Sequence, residues 1–122
     1  MLGVQDSKGK LLDGRKKYEL TFPKGQLPPA GAFWSVTVYQ DHFLAPNSGG
    51  KYAVSYWMNP KTNKDGSVTI YMQPASPGAD LELNWLPTSG GIPALTPLLR
   101  LYWPLPEVLN GKWAPPPAVE VQ

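Results

Sequence analysis

Phe33-Trp34-Ser35-Val36-Thr37-Val38-Tyr39-Gln40 is the stretch that decides the fold. It is a run of β-favouring residues, ~26 Å long when extended. Successive side chains of a strand point to opposite faces, so Trp34, Val36 and Val38 share one face and Thr37 and Tyr39 the other. The same period of two recurs twice. Val68, Ile70 and Met72 oppose Thr69, Tyr71 and Gln73, and Leu99, Leu101 and Trp103 oppose Arg100 and Tyr102. The three apolar sets predict the core. The other sets combine aromatic bodies, polar tips and one cation.

Further strand signals lie at Tyr18–Phe22, Tyr52–Trp57 and Leu81–Pro87. Turn signals separate them: Asp13-Gly14, Pro28-Pro29-Ala30-Gly31, Ala45 to Gly50, Asn63-Lys64-Asp65-Gly66 and Ser89-Gly90-Gly91. Only Pro93–Leu99 and Pro104–Leu109 fit short helices, with Pro in a first turn. Pro115-Pro116-Pro117 reads as an extended strap. No internal repeat is visible. Six to eight short strands predict an all-β, antiparallel sandwich or barrel, with residues 1–122 as a single domain.

Composition supports this reading. The 122 residues include 15 Pro and 12 Gly, yet 42% are hydrophobic and 14 are aromatic (5 Trp, 6 Tyr, 3 Phe). Disorder requires few aromatics and high net charge, and the net charge is only +2. Proline at this density opposes long helices. Most of these residues stand between or at the ends of the expected strands, for example Pro23, Pro46, Pro60, Pro74, Pro87 and Pro104.

Several chemistries are excluded. With no Cys and His42 alone, the chain lacks disulfides, thiolate metal sites, cysteine nucleophiles and the usual transition-metal ligand sets. Only oxygen-rich calcium sites stay open, no metal site is assigned and no cofactor is implied. Asp41-His42-Phe43 follows a strand end, where a histidine reads as a loop residue; there is no G-x-S-x-G elbow. Gly49-Gly50-Lys51 lacks the remaining residues of a phosphate-binding loop. Asp80 and Glu82 share a face if their stretch is a strand, but nothing raises either pKa for glycoside hydrolysis.

No run approaches the ~20 apolar residues of a membrane span, and the first residues lack a signal-peptide pattern. The compartment is left open. Residues 1–64 carry nine Lys or Arg against four Asp or Glu, and residues 65–122 carry two against five. Lys8, Lys10, Arg15, Lys16, Lys17 and Lys24 read as a solvated, aggregation-resistant edge rather than a nucleic-acid surface.

Several stretches together are more specific. Leu12-Asp13-Gly14, Phe33 to Tyr39, Asn63 to Tyr71, Asn84-Trp85-Leu86-Pro87, Leu99 to Pro104 and Gly111 to Pro116 follow one another over about residues 9–119. In order and spacing the chain resembles the bacterial family called domain of unknown function 1214. The resemblance implies a jelly-roll-like β-sandwich. It also implies a usual partner β-domain, domain of unknown function 1254, which this chain lacks, and frequent export. The family has no agreed catalytic residues to transfer. Physical roles for its motif are structural. Asp65-Gly66 supplies a positive φ, Asn84 caps a local turn, Pro87 ends a strand, Trp85 closes one end of the sandwich and Trp34 fills the core.

The functional expectation is a non-catalytic accessory, binding or assembly module that packs on a β-domain partner or a second copy. Its candidate ligand or contact face is Tyr39, Tyr71, Gln73, Arg100 and Tyr102. The expected partner of Arg100 is Asp41, Asp65 or Glu82, or an anionic ligand group. Two alternatives stand beside it: an enzyme or enzyme subunit acting on a hydrophobic or carbohydrate substrate, and a carbohydrate-binding module presenting exposed aromatic rings. Either would take a small organic or sugar ligand.

Overall fold

The computed structural model describes residues 2–5, 9, 12–14, 16–24, 30–40, 43–44, 53–55, 60–88, 94–104 and 115–121. Among them are ten strands: β1 (Leu2–Gly3), β2 (Leu12–Asp13), β3 (Lys17–Phe22), β4 (Ala30–Gln40), β5 (Phe43–Leu44), β6 (Ala53–Ser55), β7 (Val68–Gln73), β8 (Trp85–Pro87), β9 (Ala94–Pro104) and β10 (Val119–Val121). A 3-10 helix, Ala79–Asn84, precedes β8.

The strands form two sheets. The larger has the order β1-β9-β4-β5, with β2 also on β9 and β6 also on β4; the smaller has the order β10-β3-β7-β8. Neighbours such as β4 and β9, or β3 and β7, are distant in sequence, the crossing connectivity of a jelly-roll-like sandwich. Every pair is antiparallel except β7 with β8, which is parallel. That exception follows from a connection of 11 residues between Gln73 and Trp85, long enough to return β8 in the direction of β7.

The core lies between the sheets. Trp34, Val36 and Val38 from β4 and Leu95 and Leu99 from β9 meet Tyr18, Leu20 and Phe22 from β3 and Val68, Ile70 and Met72 from β7, all buried. Phe22 and Trp34 join the two layers, ring centroids 5.7 Å apart at a tilt of 50°. Leu101 packs only partly into this core.

Two sequence expectations need correction. Leu81–Pro87 is not one strand: residues 79–84 form the 3-10 helix, where Leu81 N–H donates to the Gly78 carbonyl at 3.0 Å. Ala79-Asp80-Leu81-Glu82-Leu83-Asn84 is poor in β-branched residues, so nothing local holds it extended. Residues 94–99 of the expected helix Pro93–Leu99 belong to β9. Pro97 is tolerated there because its carbonyl accepts from Val4 N–H at 3.2 Å. Its nitrogen therefore faces the β1 side, and the ladder to β4 loses no donor. The strand expected at Tyr52–Trp57 is described for Ala53–Ser55. His42, Asp41, Trp57, Trp113 and residues 105–109 lie outside the described residues.

Candidate functional site

The residues expected to share one face are divided between two. Tyr39, Arg100 and Tyr102 leave the core on the outer side of the larger sheet, and Tyr71 and Gln73 on the outer side of the smaller sheet. Both sheets turn their apolar sets inward, so the alternate positions point away from each other.

On the larger sheet, Ser55, Ser35 and Arg100 form one cross-strand row, and Ala53, Thr37 and Leu98 the next. Ser35, Thr37 and Ser55 are buried although they point away from the core. Arg100 Nη2 donates to Tyr39 Oη at 2.7 Å, and the guanidinium carbon stands 5.9 Å from the Tyr39 ring centroid. Among the described residues the arginine is thus held by an aromatic hydroxyl of its own sheet and not by Asp65 or Glu82, while Asp41 lies outside the described residues. Asp65 instead accepts from Ser67, and Glu82 from Ser76 Oγ at 2.8 Å. Tyr102 is 42% exposed.

The smaller sheet is different. One outer row runs Val119, Glu19, Tyr71, Trp85, and the next places Val121 beside Lys17 and Gln73 beside Pro87. Glu19, Thr21 and Tyr71 are half-buried, and Val119 is 48% exposed. An open groove of about 510 Å³ crosses this face. Lys17, Glu19, Tyr71 and Gln73 form its floor, the bend and 3-10 helix supply Ser76, Pro77 and Leu81, and Val121 borders it. Burial, and then the neighbouring Glu19 charge, push the Tyr71 phenol above its ordinary value of 10.0. Gln73 is itself buried, its Nε2 donating to the Ala75 carbonyl at 2.7 Å.

The remaining motif residues support this face. Gly66 has φ +90° and donates its N–H to the Asn63 carbonyl at 2.9 Å. Asp65 Oδ1 accepts from Ser67 N at 3.0 Å and Ser67 Oγ at 2.6 Å, which holds its carboxyl below the ordinary range. Asn84 reaches further than a local cap. Its Oδ1 accepts from Lys61 N at 2.7 Å, and its Nδ2 donates to the carbonyls of Lys61 (2.8 Å) and Thr69 (2.9 Å). Trp85 is half-buried, with Nε1 donating to the Gln73 carbonyl at 2.9 Å, so its indole covers β7 rather than plugging the core. Trp34 is in the core.

Sequence reasoning missed Lys17, Glu19, Ser76, Leu81 and Val121. Lys17 and Glu19 carried a usable signal: they alternate with the buried Tyr18 and Leu20 on one short strand. Among the described residues, no group of three His, Cys, Asp or Glu is close enough to hold a metal ion, and no helix is long and apolar enough to cross a membrane.

No curated protein matches the chain. The crystal structure of the VPA0106 protein from Vibrio parahaemolyticus is similar, with 28% identity and a TM-score of 0.82. The match covers 98% of this chain but 29% of that one, so the chain spans under a third of its solved relative. A family model described as protein of unknown function (DUF1214) matches residues 1–106, beginning earlier and ending earlier than the motif span of 9–119. Since that match takes in both sheets through β9 and all but the C-terminal strand, the chain belongs to the DUF1214 family.

Proposed function

We propose that this domain is a non-catalytic assembly module that packs through the outer face of its smaller sheet, around Tyr71. The observation that carries the reading is the contrast in exposure. The larger sheet's outward Ser35, Thr37 and Ser55 are already covered, whereas Tyr71, Leu81 and Val121 border an open groove and Val119, in the same cross-strand row as Tyr71, is exposed. Aromatic bodies with polar tips beside exposed aliphatic side chains suit a protein contact. A second support is modular: nearly the whole fold recurs as under a third of a longer solved chain. Domains within one chain meet through interfaces that resemble protein–protein contacts. The partner proposed here is a second copy of the chain, in keeping with the usual twofold symmetry of oligomers.

Light scattering over a range of concentrations tests this. The parent chain is expected to self-associate, Tyr71→Glu to abolish association, and Tyr102→Glu to leave it intact. A monomer at every concentration, or association lost only with Tyr102→Glu, would overturn the reading. One observation favours a second reading, a sugar-binding face. The groove has a tyrosine, Tyr71, on its sheet floor opposite Glu19, and is lined also by Lys17. A thermal shift with simple sugars that disappears in Tyr71→Ala would support that reading over self-packing.

A further inference from the structure

The C-terminal strand is held differently from the rest of the fold. β10 has three residues, paired in register with Glu19, Tyr18 and Lys17 of β3. Val119 and Glu120 are exposed and Val121 half-buried; only Ala118, at its entrance, is fully buried, its N–H donating to the Gln5 carbonyl at 2.8 Å. Little apolar area therefore opposes local opening. The ion pair of Lys16 Nζ with Glu120 Oε1, at 3.0 Å, joins two side chains that are each about half exposed. Such pairs are weak and screened by salt.

Opening β10 would bare the N–H and C=O groups of β3 along Lys17–Glu19, a template for another strand. The opposite edge of this sheet is β8, which ends at Pro87 and lacks that donor. Pro115-Pro116-Pro117 immediately precedes Ala118. Three prolines cannot extend the ladder, and they favour a stiff extended arm over a fold-back turn. An arm that stays extended rather than folding back can reach a neighbouring copy, the route to a domain-swapped dimer. The segment also lies beyond residue 106, where the match to the family ends.

We infer that β10 is an exchangeable edge strand, and that the β3 edge accepts residues 118–121 of a second copy of this chain. The copy is the fitting occupant because it brings the same register, with Glu120 beside Lys16 and Val119 opposite Glu19. Reciprocal exchange closes a twofold dimer in which neither β3 edge is left unpaired. This goes beyond the face packing proposed above and does not require it.

The chain has no cysteine, so introduced thiols are unambiguous. Glu19→Cys is placed in one chain and Val119→Cys in a second chain of different mass, both checked for parent-like circular dichroism. The two are mixed at high concentration and mildly oxidised. Exchange predicts the mixed disulfide in roughly tenfold excess over random pairing, because the register raises the local thiol concentration. Random pairing overturns the inference. In a Tyr71→Glu background the excess is expected to persist; its loss there would mean that copies meet only through the sheet face, and would overturn strand exchange.

Discussion

On the outer side of the six-stranded sheet, small polar residues lie buried beside an arginine held by a tyrosine; on the outer side of the four-stranded sheet, larger residues stay half exposed around a groove. Both faces arise from the same alternation of apolar and polar residues. Alternation determines which side chains leave the core, but not whether the side they reach meets water or protein. On the larger sheet, Thr37 is 4% exposed, as buried as many core residues. On the smaller, Val119 remains open although it is apolar. The candidate contact surface is therefore found where an apolar residue is exposed, not where a polar one points outward.

The largest test places one charge on each face. Thr37→Glu buries a carboxylate among Ser35, Ser55 and their neighbours and is expected to cost roughly 3–5 kcal/mol. Val119→Glu is expected to change stability by only about 0.5 kcal/mol. Urea unfolding of the two variants measures the difference. Equal effects would erase the contrast between the faces.

Asn84→Ala comes next, at about 3 kcal/mol, since it strands the backbone groups of Lys61 and Thr69 that the amide now satisfies. Urea unfolding reads the loss, and faster amide exchange in residues 79–88 should show that one wall of the groove has loosened. Gly66→Ala should cost about 1–2 kcal/mol, because φ +90° is strained for any side chain. A Cβ there would also sit 2.8 Å from Lys24 Cδ, a contact the flexible lysine can relieve. The thermal midpoint reports this change.

Smallest is the pH effect of Tyr71. Its folded pKa is raised by burial and then by Glu19, so folding favours the neutral phenol. That contribution is fully present below the ordinary tyrosine pKa of 10.0 and is lost as pH rises through the raised folded value. Phenolate absorbance of the parent, compared with Tyr71→Phe, should show one late-titrating group. An ordinary titration would place Tyr71 fully in solvent.

Much of the fold was legible because the strongest strands carry a period of two and the turns carry Gly, Asp and Asn. Trp34, Val36, Val38, Ile70 and Met72 enter the core as their spacing requires. The 3-10 helix was not legible, since Leu81 and Leu83 suggest alternation although Leu83 is exposed. Pro93 suggested a helix start, and the strand that runs through Pro97 instead depends on which edge of β9 the Pro97 nitrogen faces. The candidate face was only half legible. Tyr71 and Gln73 could be placed on an outward side, but their neighbours Lys17, Glu19 and Val121 depend on strand order. Strand order is set by packing over long sequence separations, and no local pattern encodes it. For the same reason, Tyr39 and Arg100 could not be assigned to the opposite layer from Tyr71.

Hydroxyl-radical footprinting of the parent chain, dilute and then concentrated, reads out which sheet face carries the contact. Contact through the smaller sheet predicts that Tyr71, Leu81 and Val119 lose labelling on concentration while Tyr102 keeps it. Loss of labelling at Tyr102, with Tyr71 and Val119 unchanged, would contradict the account.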